Sequence, residues 1–153
     1  MDEIRSEYDR SQFIVVTFGN EQYGIDIRHV DNIVRIQRIT RVPKVQKYFK
    51  GVINLRGEII PVMSIRTKMG LEEDVITNFT RIIIIKMDNS NEAVGLLVDA
   101  VKEVITMDAS QIERVAYDAK EERSNFIFGV GKEKEGLISL LDLNLVLSER
   151  ENT

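Results

Sequence analysis

The stretch Gly51-Val52-Ile53-Asn54-Leu55-Arg56-Gly57-Glu58-Ile59-Ile60-Pro61-Val62-Met63-Ser64-Ile65 decides how this chain is read. Two runs rich in β-branched residues flank Arg56-Gly57. A two-residue gap between such runs is a hairpin signal, because glycine supplies the positive φ of a tight turn. The residue beside that glycine is less expected. Any small polar residue would serve the turn, whereas an arginine held at a hairpin tip is placed to touch something else. Two readings of the stretch stand side by side: a sheet corner, and a contact surface.

Composition extends the β reading to the whole chain. Ile and Val together number 36 in 153 residues, against 10 Leu and 5 Ala. Branching at Cβ loses rotamer freedom on a helix and packs well on a pleated surface. The length fits one domain, or one made of two small halves. No apolar run approaches the roughly 20 residues that span a bilayer, and Met1-Asp2-Glu3-Ile4-Arg5 lacks the apolar core of a signal peptide. The absence of cysteine excludes disulfides and thiolate chemistry. A cytoplasmic β protein with no direct membrane insertion is expected.

The net charge of −4 is unevenly spread. No acid lies between Asn32 and Gly57, while Arg35, Arg38, Arg41, Lys44, Lys47, Lys50 and Arg56 give +7, leaving −11 for the remainder. Such asymmetry marks an acidic partner, a nucleic acid or simply a solvated face. An oligonucleotide-binding β-barrel using the basic 35–56 stretch is the alternative reading. It is weakened by having only Tyr48 and Phe49 as aromatics beside the charge and by a pI near 5.2.

In chain order, residues 1–11 read as a flexible terminus, Gln12 to Phe18 as a strand apolar on both faces, and Gln22 to Ile27 as its return across Gly19-Asn20. Ile27, Val30, Ile33 and Val34 recur at three- and four-residue spacing, which predicts a single helical turn before the chain extends again. Pro43 makes 37–47 loop or edge. Ser64 to Met69 predicts a short helix closed by Gly70, and 72–78 a linker. Arg81 to Met87, Ala93 to Asp99 and Val101 to Met107 read as strands, with Asp88 to Asn91 as a turn. Residues 117–125 read as loop, and Phe126 to Lys132 with Gly136 to Leu141 as a second hairpin across Glu133-Lys134-Glu135. Asp142 is placed to cap a C-terminal helix, and 149–153 complete the chain as a second flexible terminus.

The two halves repeat. Glu21-Gln22-Tyr23-Gly24-Ile25 returns 71 residues later as Glu92-Ala93-Val94-Gly95-Leu96, and Ile59 to Ile65 returns 78 residues later as Leu137 to Leu143. Val30-x-x-Ile33 answers Val101-x-x-Val104. Offsets above 70 are too long for a solenoid. They predict two β modules, approximately 12–75 and 79–148, each the size of a five-stranded barrel and packed on the other with a groove between them.

Signals of catalysis are weak. His29 is the single histidine and has no cysteine or evident carboxylate partner. Gly129-x-Gly131-Lys132 lacks both the first glycine of a phosphate loop and the Ser or Thr after its lysine. The third glycine of a dinucleotide fingerprint is missing as well. Glu72-Glu73-Asp74 reads as linker charge, and no His/Asp/Glu cluster has metal spacing. No cofactor, metal or small-molecule ligand is expected.

The central hairpin, together with Tyr23-Gly24-Ile25-Asp26-Ile27-x-x-Val30, Gly95-Leu96-Leu97-Val98-Asp99-x-Val101 and Leu140-Leu141-Asp142-Leu143, resembles the CheW family over roughly residues 12–148. The resemblance implies a mostly β fold of two SH3-like five-stranded barrels around a shared core. It implies a non-enzymatic adaptor coupling chemoreceptors to the histidine kinase CheA. On it, the receptor's helical hairpin tip lies against Val16, Ile27, Val30, Ile33 and Val98, with Arg56 and Gly57 nearby, since helix-in-groove recognition uses apolar anchors flanked by charge. Ile39, Val42 and Val45, interleaved with the basic residues, are candidates for the kinase contact. For Val16 and Val98 an ordinary core role stands as the alternative. Asn32 departs from the family, many members of which carry glutamate there. The chain has no room for the receiver domain of CheV and no ATP-binding or phosphotransfer module of CheA.

Overall fold

The computed structural model describes residues 10–88, 90–115, 123–134 and 136–148. The termini expected to be flexible, most of the loop expected at 117–125, and two turn positions (Asn89, Glu135) therefore lie wholly or partly outside the described residues. Eleven strands are described. They are β1 (Arg10–Phe18), β2 (Glu21–Asp26), β3 (Val30–Arg35), β4 (Phe49–Leu55), β5 (Glu58–Ser64), β6 (Arg81–Lys86), β7 (Ala93–Val98), β8 (Ala100–Asp108), β9 (Ile112–Arg114), β10 (Ile127–Glu133) and β11 (Gly136–Leu141). Single-turn helices α1 (Ile65–Lys68) and α2 (Leu143–Val146) follow β5 and β11.

The strands form two sheets, ordered β8-β1-β2-β11-β10-β9 and β3-β6-β7-β5-β4. Their plans match. Each has a central antiparallel pair, β1–β2 or β6–β7, flanked on one side by a parallel strand, β11 or β5. The repeat is therefore real, but the division at residues 75 and 79 is corrected. The first sheet takes β1 and β2 from the N-terminal half and β8 to β11 from the C-terminal half, while the second takes β3 to β7 from the middle of the chain. Each half donates its opening hairpin to one sheet and its later strands to the other. This makes two separately folding halves impossible.

In both sheets the chain leaving one edge strand reaches the opposite edge. Thr40, on the chain leaving β3, bridges to Val52 of β4, with Thr40 N–H donating to Val52 O at 2.8 Å and Val52 N–H to Thr40 O at 2.9 Å. In the other sheet the consecutive strands β8 and β9, joined by one 3₁₀ turn (Ala109–Gln111), are the two edges. The sixth strand is thus the longer counterpart of the Thr40 bridge. Gly51, at φ +140°, makes that bridge possible, since a Cβ there would lie 2.2 Å from Thr40 O.

Alternation sorts the core. Ile53, Ile60, Val62, Ile82, Ile84 and Leu97 fill one module, and Phe13, Val15, Ile105, Met107, Ile138 and Leu140 fill the other. The opposite faces of the same strands, with Ile14, Val16 and Phe18 on β1, Ile83 and Ile85 on β6, and Leu96 and Val98 on β7, join Met63, Ile65, Leu141 and Val146 in a third cluster between the modules. This is why Gln12–Phe18 and Arg81–Met87 are apolar on both faces.

The single helical turn expected at the start of Ile27–Val34 is present, and the spacing beyond it has a second cause. Only Ile27–His29 is helical, as one 3₁₀ turn, and β3 follows at once. Val30 pairs with Ile85 and Asn32 with Ile84, so Asp31 is an extra residue in a bulge. The bulge returns Ile33, opposite Ile83, to the face that Val30 occupies. The same happens in the repeat, where Val16 pairs with Val101 and Val15 with Glu103, leaving Lys102 extra and placing Val104 opposite Ile14.

Candidate partner-binding site

The free edge of β3 and the 3₁₀ turn leading into it carry three of the residues expected to face the receptor, Ile27, Val30 and Ile33, and the turn is held in place by Asp26. Asp26 caps the 3₁₀ turn by accepting from Arg28 N at 3.0 Å and pairing with the Arg28 guanidinium at 2.7 Å. Burial pushes the Asp26 carboxyl up, but the Arg28 contacts outweigh it and hold the group below its ordinary value. Ile27 and Val30 lean on the shared core and are half-buried, while Ile33 is 37% exposed. Together they form an apolar strip that begins in the shared core and runs out to solvent on one face of the bulged edge. His29 lies within this stretch. Its side chain is largely buried, with Nδ1 3.9 Å from Asp88 Oδ1.

Val16 and Val98 do not belong to this strip. Both are fully buried in the shared core, so neither presents a surface, and the expectation of direct contact is corrected for them. They lie on central strands whose both faces are covered. Alternation could have shown this, since each sits in a run apolar on both faces.

Arg56 and Gly57 form the β4–β5 turn, at φ +53° and +85°. Gly57 N–H donates to Asn54 Oδ1 at 3.0 Å. Both turn residues require positive φ, so Arg56 sits in a conformation that disfavours most side chains. It is exposed and makes no ion pair or hydrogen bond among the described residues. The pin between the modules falls to a different arginine. Arg66 of α1 donates from Nε to Asp99 Oδ1 at 2.8 Å and from Nη2 to Oδ2, while Gly19 N–H also donates to Asp99 Oδ2 at 2.8 Å. Asp99 lies where β7 of one sheet passes to β8 of the other, so this network ties both modules at the crossover. Burial pushes the Asp99 carboxyl up, but Arg66 and the Gly19 amide hold it below its ordinary value.

Ile39 packs half-buried against the interior of its module, whereas Val42 and Val45 are exposed beside Arg41, Lys44, Lys47, Phe49 and Lys50 around a shallow depression. Among the described residues none of the seven cations from Arg35 to Arg56 forms an ion pair. Sequence reading missed other exposed apolar positions. Val104 is the counterpart of Ile33, and Leu137 of Ile59, each 61% exposed in the latter pair. The 71- and 78-residue offsets already contained that equivalence. No group of three His, Cys, Asp or Glu side chains suited to a metal gathers among the described residues, and no described helix is long and apolar enough to cross a membrane.

The family model for the CheW-like domain matches residues 12–151. The chain is 36% identical to the chemotaxis protein CheW of Bacillus subtilis over 141 residues, 92% of this chain and 89% of that one. It is 31% identical to the chemotaxis protein CheW of Klebsiella aerogenes, over 92% of this chain and 83% of the other. Among solved structures, the scaffolding protein TtCheW from Thermoanaerobacter tengcongensis superposes with a TM-score of 0.80 at 31% identity, covering 90% of this chain and 88% of that one.

Proposed function

Because the chain belongs to the CheW-like family, we propose that it is a non-enzymatic cytoplasmic adaptor that couples chemoreceptors to the kinase CheA and is recruited with them to membrane-associated arrays. The observation that carries this reading is the apolar strip on the free β3 edge. A core-derived row of Ile27, Val30 and Ile33 left open at a strand edge is a surface that a packed partner helix would cover. The receptor's cytoplasmic hairpin tip is the proposed occupant. Arg56, fixed by the turn and left unpaired, supplies a bidentate donor for a carboxylate or carbonyl of the partner. Val42 and Val45, with Ile39 on the same β3–β4 connection, are the proposed kinase contact, on the same module as the β3 edge.

The second reading, an oligonucleotide-binding barrel, draws on the unpaired cations between residues 35 and 56. Its aromatic platform is poor. The Lys68 ammonium lies 4.0 Å from the Tyr48 ring centroid and already occupies one of the two rings. Reconstitution tests the adaptor reading. Receptor cytoplasmic fragment, CheA and this chain should co-sediment as one complex whose kinase activity depends on all three. Kinase stimulation that is the same without this chain contradicts it.

A further inference from the structure

Among the described residues, a cavity of about 270 Å³ opens where the start of β1, the 3₁₀ turn after β2, β9 and β10 come together. Phe13, Ile112 and Phe128 line it with apolar surface, and Asp26, Arg28 and Arg114 supply its charge. The Phe13 and Phe128 rings lie 6.5 Å apart at a tilt of 38°, a separation at which aromatic rings attract one another. No local motif marks the site, because its residues come from four separate elements. Its volume lies just below the roughly 300–1,000 Å³ of ordinary ligand pockets. A single-ring molecule fits that size, and a nucleotide does not.

Most of the charge around the cavity is already neutralised, and this narrows the ligand. Asp26 accepts from Arg28 Nε at 3.1 Å, from Arg28 Nη2 at 2.7 Å and from the Arg28 amide at 3.0 Å. Its carboxylate is therefore spent on Arg28 and offers little to a cation. Arg10 and Asp108, sequence neighbours of the lining residues Ser11 and Ala109, pair with each other at 3.2 Å. Arg114 is different. It is exposed, forms no ion pair among the described residues, and has its guanidinium 5.9 Å from the Phe128 ring centroid. Pairing of Arg114 with Gly129, and Val115 N–H donating to Phe128 O at 3.2 Å, hold its strand beside that ring. A preorganised wall loses little entropy on binding, and a guanidinium can grip a carboxylate with two parallel bonds.

We propose that this cavity binds a small aromatic monocarboxylate, its ring against Phe128 and Ile112 and its carboxylate on the Arg114 guanidinium. One unspent positive charge beside apolar walls matches a monoanion with an apolar body. A cationic ligand would meet Arg114 as a like charge and find no free carboxylate to offset it. The Asp26–Arg28 pair also caps the turn that presents Ile27, so the cavity shares a wall with that turn. The inference does not rest on the adaptor reading, and its test uses neither receptor nor kinase.

Benzoate is the probe. Titrated into the isotope-labelled full chain, it should produce saturable amide shifts with a Kd of about 1 mM or tighter, centred on Phe13, Ile112, Arg114 and Phe128. Benzamide keeps the ring and loses the charge, while acetate keeps the charge and loses the ring. Each should bind at least about tenfold more weakly than benzoate. Arg114→Gln, at an exposed position, should weaken benzoate at least about tenfold and leave benzamide unaffected, a split that a general loss of structure would not produce. Absence of saturable shifts overturns the proposal, as does benzamide or acetate binding as tightly as benzoate. Wild-type affinity for benzoate in Arg114→Gln overturns it too. Shifts centred instead on the basic loop between β3 and β4 would overturn it in favour of charge attraction there.

Discussion

The two modules share a strand plan and some exposed apolar positions, but differ in the charged residues they show to water. Positions that the fold needs recur. Gly24 and Gly95 sit where a parallel strand crosses, the Asp31 and Lys102 bulges re-aim the edge strands, and Ser64 and Asp142 cap the two helical turns. Asn32 in one module stands where Glu103 stands in the other, and the basic loop of the middle module has no basic counterpart. Duplication explains the shared positions, because both copies must solve the same packing problem. The divergent ones lie on exposed edges and loops, where packing exerts little constraint.

The hardest test of that division is to put charge where both modules need apolar packing. Val16→Asp and Val98→Asp should each leave the protein unfolded or molten at 37 °C. A carboxylate buried without a partner costs several kcal/mol, a large share of the roughly 5–15 kcal/mol that holds a domain folded. Near-native circular dichroism in either variant would mean the shared core is open at that position. Next comes closure. Gly51→Ala drives a Cβ against backbone at positive φ, whereas Gly129→Ala meets first the side chain of Ile112, at 2.8 Å. We expect a loss of about 3 kcal/mol at Gly51 and about 1–2 kcal/mol at Gly129, read by urea titration. Equal losses would mean the two closures are built alike.

The Asp99 network gives a smaller, pH-dependent effect. Its folded value is depressed, so the stability it contributes is complete above the ordinary carboxylate value of about 3.9 and is lost as pH falls through the lower folded value. Arg66→Met should cost about 1–3 kcal/mol near neutrality and flatten the acid limb of the melting-temperature profile. A parallel downward shift, with that limb unchanged, would remove Asp99 from the account. The smallest stability effect is expected at Arg56. Arg56→Lys should change folding stability by less than about 1 kcal/mol while weakening receptor-dependent kinase activation, because lysine lacks the paired donors. Unchanged activation would end its proposed role.

Much of the fold was legible because its constraints are local. The turn at Arg56-Gly57, the cap at Asp142 and the doubly apolar strands at Gln12–Phe18 and Arg81–Met87 each follow from a few neighbouring residues. What could not be read locally was the exchange of hairpins between halves, because pairing partners such as β1 and β8 lie about ninety residues apart. The bulge carries the helical spacing past the 3₁₀ turn for a physical reason: one extra residue converts a period of two into a spacing of three, which is also the spacing along a helix face. At the site, Ile33 and Arg56 stand exposed as expected, whereas Val16 and Val98 were read from a resemblance that does not distinguish a groove wall from the core behind it. The pinning arginine, Arg66, carried no local signal, since its partner Asp99 is distant in sequence.

Ile33 and Val104 are counterparts in the repeat, both exposed, both on bulged edges, and both replaceable by aspartate without burying a charge. The direct measurement is therefore the affinity of a receptor cytoplasmic fragment for Ile33→Asp and Val104→Asp side by side, each confirmed folded. Ile33→Asp should weaken binding at least about tenfold, a loss of about 1.4 kcal/mol or more, while Val104→Asp should bind as the wild type does. Wild-type affinity in Ile33→Asp, or an equal loss in both variants, would contradict the claim that the receptor docks on the β3 edge.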